Sequence, residues 1–344
     1  MNEFFTAEVP SNIAFVKYWG KLDKKLQWPA NDSLSMTLNH AKTITSARVI
    51  PNQSDNVQDI ITKEGKVLVR GQAGADKAYN HLAFLREQLG FSAALDIHTK
   101  NTFPSECGIA SSASGLGALT LSAVAAWTNS STLDDLQLKG QTLAALSALA
   151  RMGSGSACRS FLGGYVEWKA GETPTTQEVQ QVGSQSQWEL ADLILIVSKE
   201  KKSVSSTEAH ETAWSSPLFR PRLAGIKERL HAVRQAINTK NLPALGQAIE
   251  ADAMEMHAVM MTSNPPARYM TKDSESVLSW VRTERNIGAF DAWFTMDAGP
   301  NVHIICKKED ATKYATKIKS KFPDFDLLID STGSGPVLFR GTRT

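Results

Sequence analysis

The run Pro104-Ser105-Glu106-Cys107-Gly108-Ile109-Ala110-Ser111-Ser112-Ala113-Ser114-Gly115 is made almost wholly of small residues. Such a run lets the backbone wrap closely around an anion, and Gly108 and Ala110 keep side-chain bulk out of the way. A helix that begins at its end aims free N–H groups and a positive dipole end at that anion. Ser111, Ser112 and Ser114 add hydroxyl donors for phosphate oxygens, and Ser112 is also placed to meet a magnesium ion. A generic glycine- and serine-rich loop is more often a helix start packed tightly on a sheet. The order PxxxGxxSSA is specific, however, and it is not the Walker pattern, which needs GxxxxGKS or GxxxxGKT. The chemistry indicated is the handling of a nucleotide's phosphates.

Four further segments carry chemistry-bearing residues. They are Ser11-Asn12-Ile13-Ala14-Phe15-Val16-Lys17-Tyr18-Trp19-Gly20-Lys21, Asn31-Asp32-Ser33-Leu34-Ser35, Gly153-Ser154-Gly155-Ser156-Ala157-Cys158-Arg159-Ser160 and Asp297-Ala298-Gly299-Pro300-Asn301. Together with the loop they resemble the GHMP small-molecule kinases and, within them, the diphosphomevalonate decarboxylases, over about residues 8–335. The resemblance implies a reaction that uses ATP and Mg2+ to phosphorylate the tertiary hydroxyl of mevalonate 5-diphosphate. That phosphate and CO2 then leave together, giving isopentenyl diphosphate.

Tertiary alcohols are poor nucleophiles, so positioning and charge stabilisation must do most of the work. Asp297 matches the family's catalytic aspartate. Its carboxylate can orient the hydroxyl or accept its proton, and can later stabilise positive charge at that carbon. On its own, an Asp opening a turn before Gly-Pro would be read as turn chemistry. Arg159 suits the substrate carboxylate, because its planar fork binds with two bonds. Merely holding the carboxylate would speed nothing, so its use is alignment of the breaking C–C bond. Asn12 matches a position that supports this arginine, and Ser154 and Ser156 are candidate contacts for the substrate's phosphates. Lys17 and Lys21 flank Tyr18-Trp19-Gly20, one lysine for the transferred phosphoryl group and one for the substrate's distal phosphate. Tyr18 offers a hydroxyl donor.

Two departures from the family pattern stand out. An RxxN segment usually grips the substrate diphosphate, and here it reads Lys77-Ala78-Tyr79-Asn80, which keeps the charge and loses the bidentate grip. The loop Lys199 to Ala209 brings Lys202 and Ser205 toward ATP, but Ala209-His210 stands where Gly-Met is common. His257 sits among methionines with no second ligand at useful spacing, so a core or substrate-wall helix is expected rather than a metal site.

Elements must position these residues. Short β-rich runs, Thr43 to Val49, Val67 to Arg70 and Leu95 to Thr99, precede helices over Gly115 to Trp127 and Gln141 to Arg151. Strands follow over Phe161 to Trp168 and Asp192 to Val197. Leu223, Ile226, Leu230, Val233 and Ile237 recur at helical steps. Pro243 opens a second helix carrying Leu245, Ile249 and Met256. Ser274 is a candidate cap for a third, with Val277, Leu278 and Val281 inside. Strands at Ala292 to Met296, Val302 to Cys306, Asp326 to Ile329 and Val337 to Arg340, with a helix from Glu309 to Lys321, complete the pattern. This predicts an α+β chain of two domains, 1–190 and 191–344. The resemblance makes them an S5-like domain with the phosphate loop and a ferredoxin-like domain.

At 344 residues two cores are the default. A net charge of +2 from 37 basic and 35 acidic residues argues against nucleic acid as the main partner. No apolar run reaches a membrane-spanning length of roughly 18 residues, and the N-terminus lacks the pattern of a signal peptide. Three scattered cysteines suit a reducing, cytoplasmic setting. The resemblance adds a homodimer. Alternatives are a mevalonate 5-phosphate decarboxylase, a 3-kinase that stops after phosphorylation, or a non-catalytic metabolite binder. The last has no need of Lys17, Ser111, Ser112, Arg159 and Asp297 together.

Overall fold

The structure is a computed structural model that describes residues 3–51, 58–104, 111–199 and 204–341. The chain opens with β1 (Phe4–Val16), makes a small hairpin of β2 (Lys21–Asp23) and β3 (Trp28–Pro29), and returns antiparallel along β1 as β4 (Ser33–Val49). An outer hairpin, β5 (Ile60–Lys63) and β6 (Lys66–Val67), precedes α1 (Ala73–Leu89). The next strand, β7 (Leu95–Asn101), pairs antiparallel with β4 and parallel with β5.

Three helices follow, α2 (Ser111–Thr128), α3 (Leu133–Leu138) and α4 (Leu143–Gly153), then a 3-10 segment, Gly155–Phe161. The strand expected over Phe161 to Trp168 begins only at β8 (Tyr165–Lys169), because the small residues before it coil into that tight turn. It lies against the first four residues of β4 and pairs with β9 (Glu178–Gly183).

α2 is apolar on all sides and buried from Ala113 to Ala126, as a helix must be when sheet and helices cover it on every side. It packs on β1 and β4, with Leu82, Leu85 and Leu146 of α1 and α4 closing the same core.

β10 (Leu190–Ile196) starts a second sheet. The chain then forms α5 (Ser206–Thr212), α6 (Phe219–Thr239), α7 (Leu242–Thr262), α8 (Lys272–Asn286), β11 (Ala292–Thr295), β12 (Val302–Lys307), α9 (Ala311–Lys321) and β13 (Asp326–Ser331). The sheet order is β11-β12-β10-β13, antiparallel throughout. β10 is buried throughout because both faces are covered, and its one charged residue, Asp192, pairs with His303 at 2.7 Å. Leu190, Ile194 and Ile196 face the core shared with α6, α7 and the first sheet, while Ala191, Leu193 and Leu195 face α8 and α9.

Pro243 sits in the first turn of α7, where its missing N–H is harmless. The cap of α8 is Thr271, not Ser274. Ser274 is the third residue of the reciprocal capping box, so its hydroxyl closes the box from inside the helix. The expected strand Val67 to Arg70 is confined to Lys66–Val67. The last strand, β14 (Val337–Gly341), leaves the second sheet altogether and pairs antiparallel with Phe4 to Glu8 of β1. None of the described helices is long and apolar enough to cross a membrane.

Candidate active site

β1 changes register against β4 between Pro10 and Asn12, and again between Ala14 and Val16. Proline cannot donate to the ladder, so it sits at such an irregularity, and the bend re-aims the residues after it. Asn12 thereby turns toward the 3-10 segment, donating from Nδ2 to Ser160 Oγ at 2.9 Å. Its Oδ1 accepts from Arg159 Nε at 3.3 Å and Nη2 at 3.2 Å. Ser35 Oγ accepts from Nε at 3.0 Å and Ser33 Oγ from Nη1 at 2.7 Å, both from the start of β4. Arg159 is buried at 3 % exposure, and among the described residues no carboxylate pairs with it. Three of its five N–H groups are thus spent on neutral oxygens, leaving two unpartnered. Burial pulls the guanidinium pKa below its ordinary value.

Lys17 follows the end of β1, and its side chain is 2 % exposed. Nζ donates to Asp297 Oδ1 at 2.8 Å and to the carbonyl of Ala14 at 2.7 Å. The backbone is held as firmly: its N–H donates to Asp252 Oδ2 at 2.8 Å and its carbonyl accepts from Asn31 Nδ2 at 3.0 Å. Asp252 is itself fully buried on α7, paired with Arg222 at 2.9 Å and Arg229 at 3.2 Å. One turn and a residue further along α7, His257 Nε2 donates to the carbonyl of Asp297 at 3.2 Å. Burial disfavours charge on the Asp297 carboxyl, but Lys17, His303 and Arg159 outweigh it and hold the pKa below the usual range. Burial and then Lys17 push His257 down to about 4, so its ring is neutral at pH 7. Among the described residues no cluster of three metal-ligating side chains forms, at His257 or elsewhere.

These groups open on one cavity of about 840 Å³. Its wall brings together Asn12, Lys17, Tyr18, Lys21, Lys77, Ser111, Ser112, Ser154, Ser156, Arg159, Ser205 and Asp297. The cationic side chains of Lys21 and Lys77 form no ion pair among the described residues, and both have pKa values lowered chiefly by burial. Ser112 Oγ lies 3.3 Å from Ser154 Oγ, joining the start of α2 to the end of α4. Tyr18 packs over Trp168 at 4.8 Å, and its hydroxyl is buried without a partner among the described residues. Gly155 is required beside it, since an added Cβ would stand 2.9 Å from that hydroxyl.

Ser114 does not join them. It is fully buried, its hydroxyl bonded to Ser11 Oγ at 3.1 Å and Thr43 Oγ1 at 2.8 Å, so it ties α2 to the sheet instead of facing a nucleotide. Gly108, Ala110 and Lys202 lie outside the described residues. Ser205 lines the cavity while capping α5 by a capping box with Glu208. Ser33, Ser35, Asp252 and His210 were not singled out for a role by sequence. The first two lie in a quoted motif, but their bond to Arg159 is visible only once β4 is folded.

Profiles of two protein domains match the chain. The diphosphomevalonate decarboxylase-like N-terminal domain matches residues 9–180, and the mevalonate 5-diphosphate decarboxylase C-terminal domain matches residues 192–334. The chain belongs to the diphosphomevalonate decarboxylase family. Similar curated proteins include the diphosphomevalonate decarboxylases of Ganoderma lucidum and Saccharomyces cerevisiae, each 33% identical over 95% and 94% of this chain and 84% of their own length. Among solved structures, the mevalonate diphosphate decarboxylase from Enterococcus faecalis superposes with a TM-score of 0.86 at 31% identity, covering 98% of this chain and 99% of that one. A structure described as MDDEF in complex with MVAPP, AMPPCP and magnesium gives 0.87 at 31% identity over the same shares. The fold is therefore the two-domain GHMP-kinase-like α+β fold of this family.

Proposed function

We propose that this chain uses ATP to phosphorylate the 3-hydroxyl of mevalonate 5-diphosphate and then releases CO2, phosphate, ADP and isopentenyl diphosphate. The observation that carries the reading is Arg159. A buried guanidinium whose direct partners are all neutral is costly to keep, because its charge is desolvated and the carboxylate of Asp297 offsets it only from beyond ion-pair distance. A substrate carboxylate supplies the missing anion. Lys21 and Lys77 supply a second, separately unpaired pair of cations for the substrate's phosphates.

The residues divide the work as follows. Asn12, Ser33 and Ser35 fix the plane of Arg159, so its two remaining N–H groups hold the carboxylate in one direction. The C–C bond to that carboxylate is then aligned with the departing phosphate. Lys17 holds Asp297 ionised, which makes the carboxylate a weak proton acceptor. It accepts a hydrogen bond from the tertiary hydroxyl, whose proton is released as the new O–P bond forms and the bond to ADP breaks, and it then opposes the positive charge that grows at the carbon as the C–O bond breaks. Electrons of the C–C bond form the alkene as CO2 leaves.

Magnesium fits the residues present at the start of α2, because hydroxyl oxygens are hard donors of the kind that ion takes. The Ser112 hydroxyl at the start of α2 is the group that would meet an ion carried in on ATP. Such an ion neutralises phosphate charge. A cytoplasmic location belongs to the same reading, supported by the free, buried thiols of Cys158 and Cys306.

ADP and CO2 release measured in parallel on mevalonate, its 5-phosphate and its 5-diphosphate tests this. Equal release of both products with the diphosphate is expected. ADP without CO2 would make the chain a 3-kinase, and preference for the 5-phosphate would move the substrate.

A further inference from the structure

His210, on α5, is held in one chemical form by its surroundings. The N–H of Gly20 donates to His210 Nδ1 at 3.0 Å. Gly20 is itself fixed: its φ is +76°, and a Cβ there would lie 2.3 Å from the Phe219 ring. The imidazole is stacked on Trp19, with centroids 4.2 Å apart, and tilted against Tyr18 at 4.4 Å. An Nδ1 that accepts carries no proton, so the neutral ring bears its hydrogen on Nε2. Nε2 has no partner among the described residues and is not among the sealed, unpartnered polar atoms of the fold. His210 lines the cavity together with Lys21 and Lys77, and with Nδ1 taken up by Gly20 its remaining ring nitrogen is the one available to a ligand there.

We propose that His210 presents this neutral N–H to the distal phosphoryl group of the substrate and thereby favours a 5-diphosphate over a 5-monophosphate. The methionine common at this position offers no such donor. The proposal rests on the function given above and deepens it. Two lysines already stand at this end of the cavity, and each is disfavoured as a cation by burial. A third positive charge would add to that cost, whereas a neutral donor adds a directed bond to an anion without it. Burial first, and then Lys21, keep the imidazole unprotonated down to about pH 3, so the donor is unchanged across the working range. The lysine in the KAYN segment cannot reproduce an arginine's fork, and the histidine restores a donor of fixed direction.

The test is the affinity of the wild-type chain, His210→Phe and His210→Gln for mevalonate 5-diphosphate and 5-phosphate, by titration calorimetry. Phenylalanine keeps the ring and loses the donor, and glutamine keeps an amide N–H. His210→Phe is expected to weaken the diphosphate on the order of tenfold more than the monophosphate, the usual worth of a hydrogen bond to a charged group. Glutamine is expected to recover part of that loss. Equal weakening of both ligands would overturn the proposal and leave the proposed function standing. Failure of the wild-type chain to bind or turn over the diphosphate would overturn both. Should His210→Phe not fold, proton-detected NMR of the wild-type imidazole decides. A protonated Nε2 whose resonance moves downfield on adding the diphosphate, and less with the monophosphate, sustains the proposal. A protonated Nδ1, or equal shifts, sinks it.

Discussion

Arg159 and Asp297 make different demands at the residue scale. Asp297→Asn keeps size and hydrogen bonding but removes the charge that Lys17 stabilises at 2.8 Å. If that charge acts in the transition state, kcat falls on the order of 10²-fold or more while KM for substrate and ATP stays near wild type. Steady-state kinetics would count against this if affinity alone were lost. Arg159→Lys keeps a cation and cannot serve Asn12, Ser33 and Ser35 together with a carboxylate, because an ammonium is a compact charge without a planar fork. A loss in kcat/KM on the order of 10²-fold is expected from one or two lost charge-assisted bonds. An unchanged kcat/KM would mean that the guanidinium only fills space. The types and motifs of Lys17, Arg159 and Asp297 were legible in the sequence. Asp252 was not, since a carboxylate inside an amphipathic helix carries no sign that it will meet the N–H of Lys17, 235 residues away.

Among the elements, α7 does the most to place the site, because it carries Asp252, Met256 and His257 on one side. The helix is brought close to β11 at Gly246, where an added Cβ would lie 1.8 Å from the indole of Trp293. That indole is also covered by Arg285, 3.7 Å above the ring, so it has little room to retreat. Gly246→Ala should cost about 1–3 kcal/mol by overpacking and lower activity with it, as α7 is pushed from Lys17 and Asp297. Thermal melts and kinetics check both, and an unchanged Tm would show that the indole can move. The periodic helices α6, α7 and α8 were readable from the sequence, as were β10 to β14. β1 was missed because Pro10 and the interspersed Thr6, Glu8, Ser11 and Asn12 hide a strand whose thirteen residues are nearly all buried. α1 was missed because its apolar stripe is weak and Gln72 provides no side-chain cap to mark its start. The Ser274 misplacement has the same root: Thr271 and Ser274 are both good cap residues, and only the folded turn selects between them.

For the whole molecule, buried histidines set the acid limit. Burial keeps His81 at about 4, His257 at about 4 and His210 at about 3. The unfolded chain protonates its histidines near pH 6.5, whereas the native rings stay neutral. Protons then favour the unfolded state, so stability falls as pH drops from about 6.5 toward 4. By pH 4 each buried ring has cost the fold on the order of 3 kcal/mol at most. Asp297 acts in the same direction only lower, because its depressed pKa stabilises the fold above the ordinary carboxyl range and that contribution fades as pH passes below it. Denaturant midpoints at pH 7.5, 6 and 5 should decline in order, and a flat series would show that the rings protonate without unfolding.

The return of β14 to β1 has a consequence for how the chain is made on the ribosome. Phe4 to Glu8 are made long before their partner strand, which ends at Gly341 and is translated 158 residues after Gly183 closes the rest of that sheet. At ordinary rates of synthesis this delay is roughly 8–30 s. Throughout it the nascent chain exposes an unpaired strand edge with Phe5 and Ala7 beside it, the kind of surface that recruits chaperones or a neighbouring polysome product.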